Sequence, residues 1–168
     1  MQILLPTAEK IAKLLRDRGE SVAVAESSAG GLISAALLAV PGASAYFLGG
    51  GVVYTRQSRE AIVGITNADL KSRGIRSSSE PYAALLAERI REKHGAAWGL
   101  SETGAAGPTG NRYGDPAGHT CIAVHGAVMR TQTVRTGNAD RPANMRSFAL
   151  EALEIFAEIL AAAPPSKA

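Results

Sequence analysis

Cys121 has no second cysteine to pair with. An intramolecular disulfide is therefore excluded, and a reducing, cytoplasmic compartment is expected. Its setting, Thr120-Cys121-Ile122-Ala123-Val124, reads as a buried strand with a packed thiol. Aromatic residues make up only 5% of the chain, so Ala, Val, Leu and Ile must fill the core. No uninterrupted apolar run approaches the ~20 residues of a membrane span. The first residues lack the basic-then-apolar pattern of a secretory leader. The charge balance is mild: 18 basic against 15 acidic residues give +3. No basic stripe or aromatic platform suggests nucleic acid as a partner. His94, His119 and His125 show no metal-ligand spacing, so no metal site is expected, and nothing calls for a cofactor.

What is present is a chain of 168 residues with 46% hydrophobic and 20% charged residues, enough for one globular core without staples. Residues 1–163 are expected to form a single domain, with a flexible tail over 164–168. Apolar spacing predicts a first helix over 6–18, stopped by Gly19. A strand follows at 21–25, then a turn, then an apolar helix stopped by Pro41-Gly42. A second strand spans 45–54 and carries Gly49-Gly50-Gly51. Short helices are expected at 56–63 and 67–73, and a longer one begins at Ser79-Glu80. A strand at 98–101 precedes a Gly/Pro loop over 102–116. A hairpin, 119–124 with 128–134, leads to a final amphipathic helix over 141–162. Strands alternating with helices and then a late hairpin predict an α/β fold with a mixed sheet covered by helices on both faces. Ligands in such folds sit in loops beyond strand ends.

Five segments offer chemistry. Glu26-Ser27-Ser28-Ala29-Gly30-Gly31 is a strand-to-helix turn. Its backbone N–H groups suit an anion, while Ser28 also fits an ordinary helix cap. Ser44, in Gly42-Ala43-Ser44, is either a presented hydroxyl or a turn serine bonded locally. Tyr54, Arg56 and Arg59 would orient a substrate or clamp an anion, or simply start a solvated helix. The glycine-rich run from Glu102 and Thr103 through Gly104, Ala106, Gly107 and Gly110 is neither a P-loop nor a dinucleotide fingerprint. Its length still marks a working loop. Asp140-Arg141, with Arg146 beyond, either caps a helix beside surface arginines or presents two cations to a phosphate.

In order, the chain reads Ala-Glu-Ser-x-x-Gly-Gly, Pro-Gly-Ala-Ser, Val-x-Tyr with a basic residue after it, Ser-Glu, Thr-Gly-x-Ala-Gly-Pro and Gly-x-x-x-Arg. This order and spacing, from about Ala25 to Arg146, resembles the C-terminal domain of the competence/damage-inducible protein CinA, a family that includes stand-alone nicotinamide mononucleotide amidases. The other CinA domain, related to molybdopterin-binding proteins, is not expected in this chain. The resemblance implies a three-layer α/β/α sandwich and self-association. It also implies hydrolysis of the carboxamide of nicotinamide mononucleotide to nicotinate mononucleotide and ammonia. By the same resemblance Ser44 is the attacking residue, with Tyr54 and Thr103 beside it. The 27–31 turn, Gly104, Ala106, Gly107 and Arg141 or Arg146 would hold the substrate, the turn and the arginines its phosphate. The family's Lys base falls at Arg59, and its usual Cys-Thr in the first turn is Ser28-Ala29. Arginine stays protonated and does not take a proton as a lysine amine does. A binding protein with impaired catalysis is therefore the alternative expectation.

Overall fold

The computed structural model describes residues 1–165. Among the described residues, eleven helices and strands follow one another: α1 (Leu5–Arg18), β1 (Val22–Glu26), α2 (Leu32–Leu38), β2 (Phe47–Val52), α3 (Arg56–Val63), α4 (Asn67–Ser72), α5 (Glu80–His94), β3 (Trp98–Ala105), β4 (His119–His125), β5 (Met129–Arg135) and α6 (Arg141–Ala162). A 3-10 turn, Ala43–Ala45, leads into β2.

Local signals fix most of these boundaries. Pro6 opens α1, where its missing N–H costs nothing. Gly19 closes the helix in the left-handed conformation at φ 63°. Thr55 and Ser58 form a reciprocal cap on α3, and Thr66 and Asp69 form another on α4. The Asp140 carboxylate accepts from the Ala143 N–H to start α6.

The sheet order is β2-β1-β3-β4-β5. β1 runs parallel to β2 and β3, while β3-β4 and β4-β5 are antiparallel, so the sheet is mixed. Side chains alternate along each strand and divide the core between two faces. Val22 and Val24 of β1, Trp98 and Leu100 of β3 and Ile122 and Val124 of β4 pack beneath α1, α2 and α6. Ala23, Ala25, Cys121 and Ala123 face α5 and its neighbours instead. The result is the expected three-layer sandwich.

One expectation changes. β3 does not end at Ser101 but continues through Ala105, so Glu102 and Thr103 lie on a strand rather than at the opening of a loop. The pairing of Glu102 with Ile122 and Thr103 with Cys121 supplies the backbone partners that extend it. The Arg18 guanidinium donates to the carbonyls of Ala163, at 3.1 Å, and Pro164, at 2.8 Å. Residues 166–168 lie outside the described part.

Candidate functional site

The parallel strands β1, β2 and β3 end on the same side of the sheet, and two neighbouring cavities open there. The larger, about 840 Å³, is lined by Tyr54, Arg56, Arg59, Lys71, Arg76, Arg112 and Tyr113, among others. The smaller, about 210 Å³, is lined by Ser28, Tyr54, Arg141, residues 104–107 and residues 109–111. Tyr54, Gly104 and Asn111 belong to both.

Two buried glutamates build the small cavity. Glu26 ends β1 and Glu102 lies within β3, each one step beyond the paired residues Ala25 and Ser101, and both are fully buried. Glu26 accepts from the N–H groups of Gly31, Ile33 and Ser34 at 2.9–3.1 Å and from the Ser34 hydroxyl at 2.6 Å. Glu102 Oε2 accepts from the N–H groups of Ser27, at 3.1 Å, and Ala29, at 2.8 Å. Its Oε1 accepts from the Thr120 hydroxyl at 2.7 Å and from the Ser28 hydroxyl in a short contact.

These bonds correct the expectation for the 27–31 turn. The amides of Ser27, Ala29 and Gly31 are spent on the chain's own carboxylates, and that of Gly30 on the Ser27 carbonyl. Glu26 already occupies the start of α2 as its anion. Gly30 and Gly31 are needed for shape instead, at φ 68° and 98°, values that an L side chain tolerates poorly. The turn therefore contributes its Ser28 side chain to the cavity rather than a nest of free amides.

Burial raises the Glu102 pKa, against the opposing pull of hydrogen bonds from Ser28, Ala29, Thr120 and Ser27. On the far wall, Arg141 donates to the Gly107 carbonyl at 2.8 Å and to the Tyr54 hydroxyl at 3.0 Å. One guanidinium thus ties the start of α6 to the end of β2 and to the 104–111 loop. Asn144, fully buried one turn later, donates to the carbonyls of Ala106 and Asn138 at 2.8 Å and accepts from the Thr136 hydroxyl at 2.6 Å.

The larger cavity is cationic. Among the described residues no carboxylate lines it. Arg76 is held by the Asp115 carboxylate through two hydrogen bonds of 2.6 and 3.0 Å. That pairing lowers the Asp115 pKa, with Asn111 assisting. Arg112 lies over the Tyr113 ring at 5.1 Å from its centroid.

The predicted residues divide clearly. Ser28, Tyr54, Gly104, Ala106, Gly107 and Arg141 meet at the small cavity. Glu26 and Ser27 support it from behind. Thr103 is buried on the α5 face of β3, paired with Cys121, and lines neither cavity. Arg146 is exposed on α6 and lines neither cavity.

Arg59 borders the larger cavity, but its guanidinium is buried and committed: Nε donates to the Ile65 carbonyl at 2.8 Å and Nη2 to Asn67 Oδ1 at 2.7 Å. Ser44 is not brought to the site. It lies in the exposed turn before β2, whereas Tyr54 lies after that strand. Six strand residues at about 3.3 Å each hold the two ends roughly 20 Å apart. Within one chain, the Ser44 hydroxyl and the Arg59 guanidinium therefore do not form a nucleophile–base pair. Glu102 was missed as an acceptor because the sequence places it at a loop opening. The signal for it was its position two residues after Leu100, on the same face of a continuing strand.

The comparisons agree with this architecture. The model of the CinA C-terminal domain matches residues 5–160, and the chain belongs to that family. A CinA-like protein of Myxococcus xanthus is 40% identical over 161 residues, covering 94% of this chain and 37% of the relative. A CinA-like protein of Prochlorococcus marinus is 43% identical over 119 residues, covering 71% of this chain and 27% of the relative. The chain thus spans about a third of the length of such curated relatives. Among solved structures, a competence or damage-inducible protein from Enterobacter asburiae superposes with a TM-score of 0.85 at 26% identity, covering 94% of this chain and 98% of that one. A CinA superfamily protein from Klebsiella pneumoniae gives 0.84 at 26% identity, with the same coverage. No helix among the described residues is long and apolar enough to cross a membrane.

Proposed function

We propose that this chain hydrolyses the carboxamide of nicotinamide mononucleotide, giving nicotinate mononucleotide and ammonia. The observation that carries the reading is the pairing of two unlike cavities at one strand-end rim. The cationic cavity, with Lys71 and Arg112 at its edge, suits a phosphate. The adjoining cavity offers a hydroxyl, a tyrosine and glycine-rich backbone at the size of a small planar amide. Family membership supports the same chemistry. Tyr54, which lines both cavities and accepts from Arg141, stands where the ribose would pass.

A second reading, nucleotide binding without turnover, is favoured by one specific observation. Arg59 stands where the family's Lys is expected and is spent on holding the turn that carries Ile65 and Asn67. Ammonia release by the pure protein with nicotinamide mononucleotide separates the two. Turnover supports the amidase, while calorimetric binding without ammonia supports the second reading. Nicotinamide riboside, which lacks the phosphate, is expected to bind more weakly in either case.

A further inference from the structure

We infer that Ser28 is the nucleophile of this site and that Glu102 is its general base, an assignment that rests on the amidase reading above. Among the described residues, Ser28 is the one serine that lines the small cavity. It donates directly to Glu102 Oε1, so nucleophile and proton acceptor are already joined by a hydrogen bond. The two oxygens of the carboxylate have separate duties. Oε2 is anchored by the backbone amides of Ser27 and Ala29, which fix the plane of the group. Oε1 faces Ser28 and Thr120. The Thr120 hydroxyl acts as a positioning group that keeps Oε1 aimed at the serine.

Several features separate this pair from a simple turn clasp. Glu26 shows what a clasp looks like here: three of its four donors are backbone amides, and its carboxylate knits the start of α2. Glu102 instead spends one oxygen wholly on hydroxyls, one of which borders the cavity. Full burial of Glu102 also raises its pKa, against the pull of the hydrogen bonds from Ser28, Ala29, Thr120 and Ser27.

The chemistry balances without another reactant than water. Ser28 Oγ bonds to the carboxamide carbon while its proton passes to Glu102 Oε1. Ala106 and Gly107 line the same cavity as Ser28, and their backbone N–H groups are the proposed donors to the oxyanion. The C–N bond then breaks, and Glu102 returns the proton to the nitrogen, which leaves as ammonia. Water attacks the resulting ester and gives a proton to Glu102. The bond from carbon to Ser28 Oγ breaks, Ser28 regains the proton, and the carboxylic acid departs.

The test uses the full chain, with Ser28→Ala, Ser28→Cys and Glu102→Gln beside the wild type. The expected result is a loss of ammonia release of at least ~10²-fold in Ser28→Ala and in Glu102→Gln. For Glu102→Gln the loss falls on kcat, and the acidic limb of the pH–rate profile disappears. A readout independent of turnover is labelling by phenylmethylsulfonyl fluoride, mapped by mass spectrometry. The sulfonyl group is expected on Ser28 in the wild type and is lost in Glu102→Gln. The thiol introduced by Ser28→Cys should take iodoacetamide, which shows that the position is reachable in a folded chain. Ammonia release undiminished in Ser28→Ala, labelling at another serine, labelling of Ser28 unaffected by Glu102→Gln, or neither ammonia nor label would each overturn the assignment. Glu102-dependent labelling of Ser28 without ammonia from nicotinamide mononucleotide would sustain the pair and reject the substrate.

Discussion

Single residues decide how this site is held. Asn144 is fully buried and makes three hydrogen bonds that join α6 to the segments around Ala106 and Thr136. Asn144→Ala strands two carbonyls and a hydroxyl in the interior. Denaturant unfolding is expected to report a loss of about 1–3 kcal/mol. Glu102 and Asp115 titrate in opposite senses, and so do their contributions to stability. Burial raises the Glu102 pKa, so the folded chain holds that proton more tightly than the unfolded one. Stability then falls as pH rises from the ordinary glutamate range through the folded pKa. Glu102→Gln should flatten that fall in a series of unfolding curves. Asp115 is lowered chiefly by its hydrogen bonds to Arg76, so its contribution is present at neutral pH and lost as pH falls through the folded value. Asp115→Asn should remove that acid-side loss.

The residue scale is also where the sequence was hardest to read. Ser28, Tyr54 and Arg141 stand out in the chain as a hydroxyl in a turn, a tyrosine after a strand and a cation at a helix start. The structure gathers all three at one cavity. Their mutual distances depend on strand register, which no local motif records. Ser44 is the clearest case: it sits ten positions before Tyr54 in the chain, yet an extended strand carries the two to opposite ends of the sheet. The fate of the 27–31 amides was equally hidden, because Glu102 reaches them from 73 to 75 residues away.

At the scale of elements, the boundaries followed from caps and stops that are visible in the chain. Gly19, Gly64 and Gly95 end helices in the left-handed conformation, and Thr55, Ser79 and Asp140 begin them. Thr55→Ala removes one side of a reciprocal cap and is expected to cost about 1 kcal/mol in stability. β3 was underestimated because Thr103, Gly104 and Ala105 look like loop residues. Their strand state comes from pairing with Cys121, Thr120 and His119, a tertiary effect. The packing of β3 on α5 gives a sharper test. A Cβ at Gly99 would lie 2.0 Å from the Ala87 carbonyl oxygen, so strand and helix must separate in Gly99→Ala. A loss on the order of 1–3 kcal/mol is expected, with the melting temperature as the readout.

At the scale of the whole molecule, the alternation of helices and strands with a final hairpin was enough to anticipate a mixed sheet between two helical layers. The position of the site followed from the same topology. Parallel strands β1, β2 and β3 deliver their C-terminal ends to one rim, and the loops leaving them form both cavities. The pattern of charge on that rim was not legible, since Arg56, Lys71, Arg76 and Arg112 are scattered over 57 positions of the chain. Folding collects them around one opening, and that arrangement underlies the nucleotide reading. The most direct measurement is the ammonia released when the wild-type chain is incubated with nicotinamide mononucleotide. The account predicts one equivalent of ammonia for each nicotinate mononucleotide formed. Intact nucleotide after prolonged incubation with a folded, nucleotide-binding chain would contradict it.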